Sequence, residues 1–305
     1  MTTYQLYLAV GLLVFLIATP LLVVVLVRIF VRDTPEAAAS EPEDEGDLSG
    51  FATLGDFWAG IAPHLRELRD RLIKALLAVG IGTALGFWVV SSPTLLGAPL
   101  PELLARHFAP NVELQGIGVA EPFVNYMRIA LVVGLAIAMP VVVYQLIAFF
   151  IPGLLPNEKR ILYTALPFVT ELFLAGLVFG WFFTVPAAVS FLLGFGQTEH
   201  IVSRPSLDSF ISIVASLMLW NGLIFELPAL IYLLARLRIV NAKMLARTRR
   251  YAIVLITIAA AVITPTGDPF NLLLLAVPMY LLYELGILLA RFVPKPAETA
   301  QPQAT

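Results

Sequence analysis

Cysteine is absent, histidine occurs three times, and charged residues make up only 13% of the 305 residues. Without cysteine there is no disulfide, no thiolate metal site and no cysteine nucleophile. His64, His107 and His200 all lie outside the apolar stretches, so no metal site is expected. Neither histidine nor aspartate falls within an apolar stretch. That excludes a membrane-embedded protease built on a Ser–His pair, paired aspartates or a zinc motif. No Walker-type glycine loop is present, so nothing points to a nucleotide-driven reaction. No catalytic residues, no cofactor and no nucleic-acid partner are expected. The net charge of −2 is uninformative as a sum, because the charges are segregated along the chain.

What is there is apolar. Hydrophobic residues make up 59% of the chain and the mean hydropathy is +0.90, leaving too little polar surface to cover a soluble core. The apolar residues fall in seven blocks, roughly 4–30, 72–90, 123–150, 164–194, 209–235, 251–264 and 271–290. At about 1.5 Å per helical residue most of these can cross a hydrocarbon core of about 30 Å. The sixth block, ending at Thr264-Pro265, reaches only about 21 Å. Either its basic lead-in extends the helix or the bilayer thins there. An all-α, multi-spanning membrane protein follows.

The connections sort by charge. All but three of the 19 Lys and Arg residues lie on alternate connections, which the positive-inside rule places in the cytoplasm. The N-terminus is then outside and the C-terminus inside, with seven crossings. The first block has no basic residues before it; Arg28 and Arg32 follow it. It therefore reads as an N-out anchor (1–32) rather than a cleavable signal peptide. Residues 33–56, rich in Glu, Asp, Ala and Ser, read as an acidic flexible cytoplasmic linker. The core is 57–292, and 293–305 is a disordered cytoplasmic tail.

Four segments carry more specific patterns. His64-Leu65-Arg66-Glu67-Leu68-Arg69-Asp70-Arg71-Leu72 is an amphipathic helix start expected at the cytoplasmic interface, with Glu67–Arg71 and Asp70–Lys74 pairs at i,i+4. The third block ends in Tyr144-Gln145 and Phe149-Phe150-Ile151-Pro152-Gly153-Leu154, followed by Asn157-Glu158-Lys159-Arg160. The fifth holds Phe225-Glu226-Leu227-Pro228. The loop before the last block reads Thr264-Pro265-Thr266-Gly267-Asp268-Pro269-Phe270-Asn271. Together, in this order, they resemble the TatC family, the six-helix receptor subunit of the twin-arginine protein translocase. The likeness covers about residues 60–292; the N-terminal crossing has no counterpart in the six-helix pattern.

The resemblance implies a six-helix core plus one extra N-terminal helix, in a bacterial or archaeal cell (inner) membrane. It implies binding of twin-arginine signal peptides of folded precursors, self-association, assembly with small TatA and TatB-like subunits, and transport energised by the proton-motive force. By matched position, Glu67 and Glu158 correspond to the acids that contact the paired arginines, with Arg69, Arg71 and Phe149 beside them. A carboxylate accepts a guanidinium fork through two bonds, which suits this role. Pro99, Glu226, Thr264 and Asp268 match residues tied to partner contact or structure. A family glutamine falls on Leu272, with Asn271 beside it.

Structural readings stand beside these. Glu158 opens a helix and compensates its dipole. For Glu226 the structural reading is a protonated acid hydrogen-bonded to Asn221 or to a neighbouring helix. Glu284 can be a helix–helix bond. Prolines at 140, 167, 186, 228 and 278 kink their helices. The competing function is a proton-coupled secondary transporter using Glu171, Glu226 and Glu284 as an intramembrane relay.

Overall fold

The computed structural model describes residues 54–110, 112–150, 156–195, 197, 204–264 and 268–293. The side chains of 54–61, 95, 150 and 156–165 lie outside what it describes. The N-terminal block, the acidic linker and the tail from 294 fall outside the described residues, as does Pro265-Thr266-Gly267. The described residues are helical, without a strand; the sole extended pairing among them is an isolated bridge between Gln115 and Ser206. Besides a single helical turn at Pro93–Leu96, the helices are α1 (Leu54–Ser91), α2 (Leu100–Phe108), α3 (Glu121–Phe150), α4 (Pro156–Phe179), α5 (Val185–Gly194), α6 (Leu207–Phe225), α7 (Leu227–Arg236), α8 (Ala242–Arg247), α9 (Arg249–Ile263) and α10 (Pro269–Arg291).

Five helical stretches are long and apolar enough to cross a membrane: Ala62–Ser91, Glu121–Phe149, Leu166–Gly194, Leu207–Arg236 and Pro269–Arg291. They coincide with five of the expected blocks, and the protein is a multi-pass membrane protein. The sixth block is α9, of 15 residues, about 22 Å long. Its basic lead-in adds only Arg249 and Arg250 to it, because Thr248 separates α9 from α8. The amphipathic start is not a separate interfacial helix: it runs without a break into the membrane stretch as one 38-residue helix.

Two of the five interior prolines mark more than a kink. Pro186 follows a π-helical turn, Gly180–Thr184, that joins α4 to α5. Pro228 follows a break at Glu226 between α6 and α7. A proline withdraws the N–H that would bond one turn back, and at both places the chain changes its hydrogen-bond pattern. Pro140, Pro167 and Pro278 stay inside continuous helices.

The described residues before Gly176, with 204–215, form one compact unit; 176–195 and 216–293 form a second. In the first, α1 lies against α3 at very short range. A Cβ on Gly82 would sit 2.4 Å from the Gly134 carbonyl, and one on Gly134 would sit 2.4 Å from the Thr83 backbone. Small residues let helix backbones approach this closely, which drives helix association where no hydrophobic effect acts. In the second unit, Gly286 of α10 packs on Ile231 of α7. The buried Thr184 and Asn221 are joined by a 3.2 Å hydrogen bond, and Asn221 Nδ2 donates to the Leu217 carbonyl at 2.7 Å.

Candidate functional site

In α1, Arg71 donates through Nε (3.0 Å) and Nη2 (2.6 Å) to Glu67 Oε1, the expected i,i+4 pair. The pair is half-buried, and an i,i+4 pair on a helix surface is worth about 0.3–0.5 kcal/mol, so its interest is geometric. Both bonds converge on one oxygen of Glu67, leaving Oε2 available to a second guanidinium. Asp70 does not pair with Lys74 as expected; it takes its neighbour Arg69, whose Nε and Nη2 lie 3.1 and 2.9 Å from Oδ1. That pair is exposed on both sides and leaves the Glu67–Arg71 pair undisturbed. Leu65, Leu68 and Leu72 on the same helix are exposed.

Glu158 lies in the first turn of α4, where a negative charge complements the helix dipole; its side chain is outside the described set. Phe149 is half-buried near the end of α3. Pro99 is the N-cap residue of α2, and its carbonyl accepts from the amides of Glu102 (3.0 Å) and Leu103 (3.2 Å).

Glu226 sits at the α6–α7 break with Oε1 buried and unpartnered among the described residues. The expected Asn221 bond does not form, because Asn221 is taken up by Thr184 and Leu217. Glu171 likewise has Oε1 buried without a partner. Glu284 is a helix–helix bond: Arg249 Nη2 donates to Oε2 at 2.7 Å and Tyr280 Oη to Oε1 at 2.9 Å. A carboxylate so engaged is poorly placed to pass protons along a relay.

Thr264 and Asp268 bracket the turn between α9 and α10. Thr264 is buried, and its hydroxyl donates to the Ala260 carbonyl at 2.6 Å. Asp268 caps α10. Its Oδ1 accepts from the Asn271 amide at 2.8 Å, and its Oδ2 accepts from Asn271 Nδ2 at 2.8 Å. The buried Asn271 is thereby bound to its own helix cap.

Sequence reasoning missed a second polar cluster, at the N-terminal end of α3. Glu121 Oε2 accepts from the amides of Ile117 (2.7 Å) and Gly118 (2.9 Å), while Oε1 accepts from the amide of Asp208 at 2.6 Å. Asp208 in turn pairs with Arg128, which also donates to the buried Asn125 at 3.3 Å. Gln115 exchanges backbone bonds with Pro205 and Leu207 alongside. One carboxylate thus ties two segments that are distant in sequence. The available signal was Glu121 and Arg128 seven residues apart, on one face of an apolar helix.

A family model for the Sec-independent protein translocase protein (TatC) matches residues 63–278. The TatC protein of Carboxydothermus hydrogenoformans is 34% identical over 77% of this chain and 93% of its own length. That of Deinococcus radiodurans is 38% identical over 80% of this chain and 91% of its own. A crystal structure of a twin-arginine translocase receptor, TatC, superposes with a TM-score of 0.66 at 35% identity, covering 76% of this chain and 100% of that one. The helical architecture, the spacing of the four segments and these likenesses agree: the chain belongs to the TatC family, as a membrane subunit of the Sec-independent, twin-arginine translocase and not an enzyme.

Proposed function

We propose that this subunit is the receptor for twin-arginine signal peptides, with Glu67 and Glu158 accepting the two guanidinium groups. The observation that carries this is Glu67: a carboxylate on the polar start of α1, held by Arg71 through one oxygen only. An incoming arginine finds a fixed, partly neutralised acceptor rather than a fully solvated one. Arg69, Arg71 and Phe149 complete the proposed signal-peptide contact set. The basic connections, including Lys159-Arg160 and Arg247 to Arg250, support a cytoplasmic location for this end of the core, with the N-terminus outside and the C-terminus inside. Residues 1–32 serve as an added anchor, 33–56 as an acidic linker and 293–305 as a tail.

The same reading gives the subunit TatA and TatB-like small partners, self-association, and transport driven by the proton-motive force. Glu226, Pro99, Thr264, Asp268 and Asn271 belong to partner contact. An acid at the bilayer centre costs about 2.5–3.5 kcal/mol on insertion scales, and the unpartnered Glu226 regains a hydrogen bond when a polar group of a partner helix reaches it. Glu226→Gln is expected to keep co-purification with a small subunit, and Glu226→Leu to lose it.

The main test is capture of a signal peptide carrying RR or KK by the full chain in membranes. Wild-type protein should retain RR and release KK, because an ammonium lacks the two-pronged fork. Glu67→Ala and Glu158→Ala should each weaken RR capture by about tenfold or more, the loss of one charge-assisted bond of roughly 1.5–3 kcal/mol. Equal capture of RR by wild type and both variants would refute the assignment.

A further inference from the structure

We propose that the uncovered apolar face of α1 is the docking surface for this chain's own first apolar block, residues 4–30. The proposal rests on the N-out orientation above. Among the five membrane-crossing stretches, α1 is the least covered: 17% of its most apolar window is buried, against 33–50% in the others. One side of α1, with Gly82 and Gly86, is pressed against α3. The opposite side carries Ile73, Leu77, Gly80, Ala84 and Trp88 at helical spacing. Ile73, Leu77 and Trp88 are 47%, 60% and 62% exposed, and a Cβ on Gly80 would meet nothing within 4 Å. Gly80 and Ala84, four residues apart, make a notch between Leu77 and Trp88, the kind of surface that lets a second helix backbone come close.

The chain supplies an occupant. Residues 4–30 are long and apolar enough to cross the membrane, and the acidic residues that follow lead directly into α1. Segments consecutive in sequence usually neighbour each other in space. With the N-terminus outside, 4–30 runs inward and α1 outward, so the pair is antiparallel. Aligning the middle of the first block, Ile17, with the middle of 72–90, Ile81, sets the depth. Phe15 then lies at the level of Thr83, over the Gly80–Ala84 notch. Gly11 lies at the level of Phe87, beside Trp88. Gly11, Phe15, Ala18 and Leu22 share one helical face. Large meets small at both levels, as interdigitating helices require.

The natural absence of cysteine makes paired thiols a clean probe. The full chain carrying Phe15→Cys with Ala84→Cys, or Gly11→Cys with Trp88→Cys, is oxidised in native membranes. Free thiols are then counted by maleimide–polyethylene glycol mass tagging. Both pairs are expected to lose both thiols at monomer mass. Leu13→Cys with Ala84→Cys, at similar depth but on the opposite face of the first block, is expected to keep both. Adding Gly80→Leu, which fills the notch without touching the α1–α3 contact, should restore thiols to the Phe15 pair. Equal oxidation of the Leu13 and Phe15 pairs, or of neither, overturns the proposal. A product of doubled mass overturns it in favour of a second copy. Pairing of Gly11→Cys with Leu76→Cys instead of Trp88→Cys overturns it through its orientation. None of these outcomes bears on signal-peptide capture, so the two proposals fail separately.

Discussion

Glu121 does more with one side chain than any acid singled out from the sequence. Its two oxygens accept three backbone amides, two from the segment before α3 and one from the first turn of α6. Glu121→Ala leaves these amides without their acceptor. Glu121→Gln keeps one acceptor oxygen and turns an amide group toward a donor. Hydrogen exchange at Ile117, Gly118 and Asp208 is therefore expected to quicken in both variants, more in Ala, while the Gly134 region of α3 exchanges as before. Uniform quickening across α3 would mean that Glu121 holds the whole unit rather than this end of it. The contrast with Glu67 shows what a sequence reveals at this scale. The Glu67–Arg71 pair follows from a spacing of four on one helix. The Glu121–Asp208 contact joins residues far apart in the chain, and helical spacing carries no information about it. Even local spacing can mislead: Asp70 had Lys74 at the right distance and took Arg69, since on a solvated surface such alternatives differ by only tenths of a kcal/mol.

The membrane helices were legible because each must satisfy its backbone internally and present apolar side chains to lipid. That constraint writes itself into runs of hydropathy. The shortness of α9 was legible for the same reason, from Thr264-Pro265 closing its apolar run. Less visible was the π turn at Gly180–Thr184: Pro186 announced a disturbance but not its form. The fit of α1 on α3 was also hidden. Helical spacing sets Gly80 and Ala84 opposite Gly82 and Gly86, and only packing reveals which pair meets α3. Substitution separates the two faces. Gly134→Leu places a Cβ 2.4 Å from the Thr83 backbone, which no rotamer can relieve, so the α1–α3 contact must open. Overpacking of this kind costs about 1–3 kcal/mol or more. Gly80→Leu adds its side chain to open space. Thermal unfolding in detergent should fall markedly for Gly134→Leu and stay near wild type for Gly80→Leu. Equal loss in both would show that the open face of α1 is needed for the core itself.

For the whole molecule, the question is what the first apolar block, proposed as an added crossing, contributes to folding. The family match starts at Pro63, so the part of the chain that the family model covers begins after the first block. Among the described residues, α1 is seated on α3 through Gly82, Gly86 and Gly134. A helix docked on the opposite face adds van der Waals contact but exchanges it for lipid contact of similar quality. Deleting residues 1–50 is therefore expected to leave the core folded, with its thermal midpoint little changed and RR capture retained. On the proposed topology the same deletion removes one crossing, so the new N-terminus is expected in the cytoplasm, on the side where α1 is proposed to begin. A reporter fused to residue 1 of the full chain should read as external, and one fused to the shortened chain at residue 51 as cytoplasmic. A core that no longer folds after the deletion would show that the first block is a structural helix. A cytoplasmic signal from residue 1 would show instead that the first block does not cross.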